Sequence, residues 1–179
     1  MMETSFEVLR VKAQKVKWFF CDVDGTLTDG SVYYSPEGEL LKKFSLRDGS
    51  GFFLLKKIGI KVGFITTECS PIVEQRAKKL KIDAYIYGTN HKTESMKIFL
   101  QDNNLVFDEI AFIGDEINDV KLLQSVGLSF AVGDAAKEAK ESADIICKSN
   151  GGNGAFREAT EILLKLNGKN VDDIINSYL

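Results

Sequence analysis

The sequence of 179 residues is long enough for one α/β domain with a full hydrophobic core but short for two. A hydrophobic fraction of 44% and a charged fraction of 27% are ordinary for a globular protein, and the net charge of -3 argues against nucleic acid as a partner. No apolar run reaches the length that spans a membrane. Residues 1–17 are polar and the cysteine count is odd, so we expect a cytoplasmic protein with no membrane partner.

Short apolar stretches alternate with amphipathic ones along the chain. This alternation predicts a Rossmann-like, doubly wound α/β fold in which helices cover both faces of a mostly parallel sheet. We expect residues 1–179 to form a single domain, with short helices before residue 17 and at the end of the chain. The predicted strands are 16–21, 61–65, 84–87, 110–113, 128–132 and 145–146, and the main predicted helices lie around 52–58, 70–80, 92–100, 120–123, 135–142 and 162–166. Residues 151–154, with three glycines, are predicted to form a mobile loop.

One segment interrupts this alternation. Residues 29–44 contain two short alternating stretches, 31–34 and 40–44, on either side of a turn at 36–38. This pattern is typical of a β-hairpin. Its side chains are apolar and aromatic enough to form a contact between subunits, and packing of the hairpin on its own domain is the alternative.

The first strand leads directly into a turn that carries two carboxylates. Asp22 and Asp24 lie two residues apart, followed by Gly25 and Thr26. Two acids so close repel one another unless a cation lies between them, and Mg²⁺ is a hard ion that prefers oxygen ligands. Taken alone, the sequence Asp24-Gly25 is equally compatible with an ordinary turn after a strand.

Other predicted strands and helices also have polar residues at their ends. Thr66 follows the second strand, Lys92 begins a helix, and Asp115 and Asp119 follow the fourth strand. In a parallel sheet these groups converge on the edge where ligands bind. Individually they are compatible with a strand end, a solvated lysine and a helix cap, but together they form the set that phosphoryl transfer needs.

The order of these motifs is Asp-x-Asp-Gly-Thr, a strand ending in Thr, a Lys, and Gly-Asp-x-x-x-Asp. It resembles the four motifs of the haloacid dehalogenase-like phosphohydrolases across nearly the whole chain. The resemblance implies that Asp22 is the nucleophile and Asp24 the general acid and base. It implies that Asp22, Asp115 and the backbone carbonyl of Asp24 bind Mg²⁺, and that Thr66 and Lys92 hold the phosphate.

Most members of that superfamily carry an inserted cap domain, whereas here only the hairpin follows the first motif. The segments 29–49 and 151–158 resemble one capless branch, the phosphatases of 3-deoxy-manno-octulosonate 8-phosphate and of nonulosonate 9-phosphates. In that branch the hairpins of four subunits form a central barrel, and a neighbour covers each active site. The resemblance therefore implies a homotetramer that uses residues 29–44 for assembly.

The residues after Thr66 bear on the substrate. Octulosonate phosphatases usually have Gly-Arg there, whereas this chain has Thr67 and Glu68. Members that act on nine-carbon substrates carry Glu at the second position, with an Arg and a Lys in the next helix. Glu68, Arg76 and Lys79 match these three positions. The resemblance thus favours a nonulosonate 9-phosphate as substrate, of keto-deoxy-nononate or N-acylneuraminate type. It also implies a role in sialic acid biosynthesis. The alternative is the octulosonate 8-phosphate of lipopolysaccharide synthesis.

The candidate substrate-binding residues also include three from elsewhere in the motifs. They are Thr67, Asp119 and Arg157.

Two rival classes of protein stay open at this point, a receiver-like signalling domain and a non-catalytic, phosphatase-like assembly domain. A receiver places its phosphorylated Asp after a middle strand of its sequence, whereas the paired acids here follow the first strand. The presence of all four motifs disfavours the assembly domain.

Overall fold

The computed structural model describes residues 2–176, with side chains from residue 6 onward. A six-stranded sheet forms its centre, and helices flank it. The strands are β1 Trp18–Cys21, β2 Val32–Ser35, β3 Gly38–Lys42, β4 Lys61–Ile65, β5 Ala84–Ile86, β6 Ile110–Gly114, β7 Leu128–Ala131 and β8 Ile145–Ile146. The helices are α1 Met2–Lys15, α2 Leu46–Lys57, α3 Pro71–Leu80, α4 Lys92–Asp102, α5 Val120–Leu123, α6 Lys137–Ser142, α7 Ala155–Leu166 and α8 Val171–Asn176, with 3-10 turns at Phe107–Glu109 and Ile117–Asp119. The predicted α/β fold is confirmed.

The order of the strands explains where a site can form. The sheet runs β5-β4-β1-β6-β7-β8, and every pair of neighbours is parallel. β1 therefore lies in the interior, between β4 and β6, and the chain winds away from it in both directions. Doubly wound sheets bind ligands beyond the carboxyl ends of the strands at this reversal point. The turns after β1, β4 and β6 are the ones that meet there.

Alternating side chains of β1 pack on opposite faces of the sheet. Phe19 contacts Phe156 of α7, whose ring stacks on Phe52 of α2 with centroids 4.0 Å apart. Phe20 points to the other face, where Phe99 of α4 packs against it edge-on. All four residues of β1 are buried. Because both faces are covered, an apolar strand rather than an alternating one is required here.

The hairpin stands apart from the main sheet. β2 and β3 pair only with each other among the described strands, with a bulge between Tyr33 and Tyr34. Tyr34 is 74% exposed and Leu40 is 60% exposed. At the base of the hairpin, by contrast, Lys42 is buried. The predicted hairpin is thus present, with an exposed tip and a base that packs on the protein.

The glycine-rich segment 151–154 differs from the prediction. It is not a loosely attached loop: its three glycines are buried, and Gly151 and Gly152 lie against the turn that follows β1. A Cβ on Gly151 would lie 1.7 Å from the carbonyl oxygen of Gly25, so glycine is required there for the close approach of two backbones. Asp48 of α2 accepts hydrogen bonds from the backbone N–H of Gly154 at 3.1 Å. The segment therefore supports the turn.

The N-terminal helix is longer than the sequence suggested. α1 covers 14 residues, and Lys15 near its end pairs with Asp108 at 3.0 Å. Lys12 pairs with Asp144. These contacts attach α1 to segments that flank β6 and β8 and so stabilise that side of the sheet. Within residues 2–176, no helix combines the length and the apolarity needed to cross a membrane.

Candidate active site

The predicted residues meet where the three interior strands end. Asp22 directly follows β1, and its backbone N–H continues the sheet by donating to the carbonyl of Ile113 at 3.0 Å. Thr66 directly follows β4 and is buried. Asp115 directly follows β6. The parallel sheet thus brings three distant parts of the sequence to one edge.

Lys92 links two of the carboxylates. Its side chain is 1% exposed, and its Nζ lies 2.6 Å from Oδ1 of Asp22 and 2.6 Å from Oδ1 of Asp119. Burial alone would lower the pKa of Lys92, but the two carboxylates outweigh this effect and raise its pKa. The lysine is therefore a fixed positive charge beside Asp22. We call Asp22, Asp115, Asp119 and Lys92 the acid–lysine cluster.

Both carboxylate oxygens of Asp119 accept hydrogen bonds. Oδ1 accepts from Lys92, while Oδ2 accepts from the backbone N–H groups of Asp115 at 3.0 Å and Glu116 at 3.2 Å. Its carboxylate therefore orients Lys92 and the turn after β6. The sequence suggested contact with substrate for Asp119, but complete burial and these three bonds favour a supporting role.

Three carboxylates of the cluster could hold a metal ion. Oxygen atoms of Asp22, Asp115 and Asp119 all lie within 4.8 Å of one another. Since Asp119 already has partners for both oxygens, Asp22 and Asp115 are the better ligands. An all-oxygen set of this kind suits a hard divalent cation such as Mg²⁺.

The electrostatics of the cluster agree with a cation. Burial raises the pKa of Asp22 well above its usual range, and the neighbouring carboxylates of Asp119 and Asp115 raise it further against the opposing effect of Lys92. Burial and the charge of Asp119 raise the pKa of Asp115 to about 6. One lysine does not balance three acids, so a divalent ion would relieve the remaining repulsion.

Two residues of the first turn hold Asp115 in place. Gly25 has a φ of +87°, and a Cβ at this position would lie 2.0 Å from Oδ2 of Asp115. Thr26 is buried, and its Oγ1 donates to Oδ1 of Asp115 at 2.9 Å. The Gly-Thr pair was recognised only as part of a motif. Its physical role is to make room for the carboxylate that follows β6 and to orient it.

Asp24 has a partner that the sequence did not indicate. Nζ of Lys42, at the base of the hairpin, lies 2.6 Å from Oδ1 of Asp24 and 3.2 Å from Oε1 of Glu39. Burial lowers the pKa of Lys42, but the bonds to Asp24 and Glu39 outweigh it, and the net shift of the pKa is upward. Only the packing of the hairpin on the first turn reveals this contact, because the two residues are 18 positions apart.

The residues after β4 form the rim of the site. Oγ1 of Thr66 accepts from the backbone N–H of Glu68 at 3.3 Å. Oγ1 of Thr67 accepts from the side-chain amide of Asn118 at 3.1 Å, a bond that connects the turns after β4 and β6. Glu68 is exposed. We call Thr67, Glu68 and Asn118 the rim.

The other predicted substrate residues have contacts elsewhere. Arg76 donates to the carbonyl of Ser45 at 3.0 Å, and its guanidinium lies 5.4 Å from the ring centre of Phe44. Arg157 pairs with Glu161 of its own helix at 2.7 Å. Lys79 is exposed on α3. These contacts tie Arg76 to the junction between the hairpin and α2, and Arg157 to α7, rather than to the acid–lysine cluster.

A parallel doubly wound sheet with this cluster beyond its central strand defines the class of protein. The family model for haloacid dehalogenase-like hydrolases matches residues 55–158. This chain belongs to that family. The predicted family and the predicted hydrolase activity are confirmed.

Individual relatives narrow the comparison further. The chain is 33% identical over 172 residues to the 3-deoxy-D-manno-octulosonate 8-phosphate phosphatase of Haemophilus influenzae, with 96% of each chain covered. The cobalt-bound structure of the deoxy-D-mannose-octulosonate 8-phosphate phosphatase from that organism has a TM-score of 0.84 at 34% identity, covering 88% of this chain and 92% of the other. The Moraxella catarrhalis phosphatase, in complex with a magnesium ion, a phosphate ion and a KDO molecule, has a TM-score of 0.90 at 33% identity and covers 100% of both chains. These relatives support the eight-carbon alternative, and the nonulosonate interpretation is not confirmed by them.

Proposed function

We propose that this protein is a Mg²⁺-dependent phosphatase that removes the terminal phosphate of a 2-keto-3-deoxy sugar acid, with 3-deoxy-manno-octulosonate 8-phosphate as the first candidate. The observation that supports it most is the pairing of Asp22 with a fully buried lysine, beside Asp115, at the reversal point of the sheet. Similarity to octulosonate phosphatases over 96% of the chain supports the substrate. The nine-carbon phosphate is the second candidate, because Glu68 stands where octulosonate phosphatases usually have Arg.

Asp22 is the proposed nucleophile. One of its carboxylate oxygens attacks the phosphorus in line with the leaving oxygen, and an aspartyl phosphate forms as the bond from phosphorus to the sugar oxygen breaks. Lys92 offsets negative charge on the nucleophile and the phosphate, and the Thr66 hydroxyl and nearby backbone N–H groups donate to phosphate oxygens. Asp22, Asp115 and the backbone carbonyl of Asp24 would hold Mg²⁺, which neutralises phosphate charge when bound.

Asp24 is the proposed proton carrier. In the first step its protonated carboxyl gives a proton to the departing sugar oxygen, so the products are an alcohol and a carboxylate. In the second step that carboxylate takes a proton from a water molecule, whose oxygen attacks the phosphorus. The bond from phosphorus to Asp22 then breaks, and inorganic phosphate leaves. One water is consumed, and both carboxyl groups return to their starting states.

The test compares kcat/KM for the eight-carbon and nine-carbon sugar acid phosphates in the presence of Mg²⁺. We expect hydrolysis of at least one, with the eight-carbon phosphate preferred. Asp22→Asn should lower the rate by at least about 10⁴-fold. Asp102→Asn, at an exposed position on α4, is the matched control and should stay within about twofold of the wild type. Full activity of Asp22→Asn, or no hydrolysis of either phosphate by the wild type, would refute the proposal.

We further propose that residues 1–179 act as one domain and assemble as a homotetramer through the hairpin. Tyr33, Tyr34, Leu40 and Leu41 are 45–74% exposed on two short strands, which is unusual for a hairpin in contact only with water. Light scattering after size exclusion should give four copies, and Tyr34→Lys combined with Leu40→Lys should reduce the mass. A wild-type monomer with full activity would contradict this assembly. Cytoplasmic location and roles for Arg76, Lys79 and Arg157 toward substrate stay predictions.

A further inference from the structure

The base of the hairpin contacts the candidate proton carrier within the same chain. The Lys42 side chain is only 3% exposed although β3 is otherwise largely open to solvent. Its Nζ lies 2.6 Å from Oδ1 of Asp24. Burying a lysine is costly unless it is paired, so the hairpin base is built to present this ammonium group to Asp24.

Glu39 and Ser70 help to hold Lys42 in position. Oε1 of Glu39 lies 3.2 Å from Nζ of Lys42, and Oε2 of Glu39 accepts a hydrogen bond from the Ser70 hydroxyl at 2.6 Å. Ser70 is the N-cap of α3, the helix that follows the rim. The chain of contacts therefore connects the hairpin, α3 and Asp24. Such a series of paired groups leaves the Lys42 ammonium little freedom to move.

The two oxygens of Asp24 have different surroundings. Oδ1 accepts from Lys42, whereas Oδ2 is buried and has no hydrogen-bond partner among the described residues. A buried carboxylate oxygen without a partner is costly in a protein that does not use it. Oδ2 is therefore the oxygen of Asp24 that keeps an open hydrogen-bonding position.

We propose that Lys42 is a positioning residue: it holds Oδ1 of Asp24 so that Oδ2 exchanges the proton with the leaving oxygen and then with water. This inference rests on the proposed function, in which Asp24 is the proton carrier. It assigns the hairpin a second role, separate from assembly, because its base orients a group that acts in the reaction. The competing explanation is that the ion pair only anchors the hairpin.

Substrates with different leaving groups separate these explanations. A sugar alkoxide is a strong base and needs a proton as it leaves, whereas nitrophenolate is a stable anion and does not. Because kcat/KM reports on steps up to formation of the aspartyl phosphate, it isolates the first proton transfer from the second. A defect in Asp24 should therefore affect the sugar phosphate much more than nitrophenyl phosphate.

The experiment measures kcat/KM for the preferred sugar acid phosphate and for nitrophenyl phosphate with Lys42→Met. We expect a loss of about 30-fold for the sugar phosphate and less than about threefold for nitrophenyl phosphate. Lys42→Arg keeps a cationic donor and should recover a large part of the loss. The inhibition constant of inorganic phosphate should stay within about twofold, since Lys42 contacts Asp24 rather than phosphate.

Lys43→Met is the matched control, since Lys43 is the next residue, is exposed and pairs with Asp29 at 2.9 Å. It should leave both substrates unaffected. Equal losses for both substrates in Lys42→Met, or no loss, would overturn the positioning role, as would much weaker inhibition by phosphate. If Lys42→Met does not fold, Lys42→Gln replaces it in the same comparison. A wild type that hydrolyses neither phosphate would refute the proposed function instead, and this result is independent of Lys42.

Discussion

The acid–lysine cluster and the rim lie at the same edge of the sheet but differ in how they are built. Every charged group of the cluster has a hydrogen-bond partner, and Lys92 and Asp119 are almost completely buried. At the rim, Glu68 is exposed, and the side-chain amide of Asn118, which is also exposed, donates a hydrogen bond to Thr67. Buried charges are stable only in one arrangement, whereas exposed side chains tolerate replacement. The cluster is therefore suited to fix the reaction, and the rim to vary with the substrate.

This difference predicts a large penalty for damage to the cluster. Lys92→Met would leave Asp22 and Asp119 buried without their cation, and we expect a loss of about 3–5 kcal/mol in the free energy of unfolding. Activity should fall by at least about 10³-fold. Denaturant unfolding of the metal-free protein measures the first quantity.

Lys97→Met supplies the matched control on the same helix. Lys97 is exposed and pairs with Glu94 at 2.8 Å, so its loss should cost less than about 0.5 kcal/mol. If the two variants unfolded with similar midpoints, the cluster would not be the strongly coupled unit that its geometry indicates.

A smaller effect is expected where the backbone makes room for the cluster. Gly25→Ala places a methyl group 2.0 Å from Oδ2 of Asp115 in a backbone with φ of +87°. We expect about 1–2 kcal/mol of lost stability from the backbone alone and a loss of at least about tenfold in activity from displacement of Asp115.

Gly59→Ala separates these two contributions. Gly59 has a φ of +83°, and a Cβ there would have no atom within 4 Å. The control should therefore lose similar stability and keep its activity. Equal activity in the two alanine variants would show that the contact between Gly25 and Asp115 is unimportant.

The sequence could predict features that depend on local signals, but not those that depend on packing. β4 was predicted at its observed limits, and α3 began at Pro71 behind the Ser70 cap, because these signals are local. The contact of Lys42 with Asp24 could not be predicted, since it depends on how the hairpin packs. The glycines of 151–154 suggested mobility from composition, whereas Gly151 and Gly152 allow close packing against residues 25–29. A glycine pattern alone does not distinguish these cases.

The titration of Asp115 predicts a moderate dependence of the free energy of unfolding on pH. Its pKa rises from 3.8 to about 6 on folding, so the folded state binds the proton more tightly than the unfolded state. Stability of the metal-free protein should therefore decrease as pH rises from about 4 to about 6, by about 1–2 kcal/mol once partial exposure is allowed for. Asp115→Asn removes this contribution, so its advantage over the wild type should grow across that range.

Unfolding in a chelator at pH 4, 5, 6 and 7 measures this difference. Addition of Mg²⁺ at pH 7 should then stabilise the wild type more than Asp115→Asn, because a ligand that binds only the folded state adds its binding free energy. A constant difference between the two proteins at all four pH values would contradict the proposed burial of this carboxylate near other acids.

The rim should give the smallest effect on the fold and the clearest effect on substrate choice. Glu68→Arg should leave stability within about 0.5 kcal/mol, because the side chain is exposed. If Glu68 contacts the sugar, the ratio of kcat/KM for the eight-carbon over the nine-carbon phosphate should rise about tenfold, since a hydrogen bond to a charged group is worth about that much. Glu141→Arg makes the same change of charge on α6, where Glu141 is exposed, and should not alter the ratio. An unchanged ratio in Glu68→Arg would remove the residue-level reason for considering the nine-carbon substrate, and the eight-carbon candidate would then stand alone.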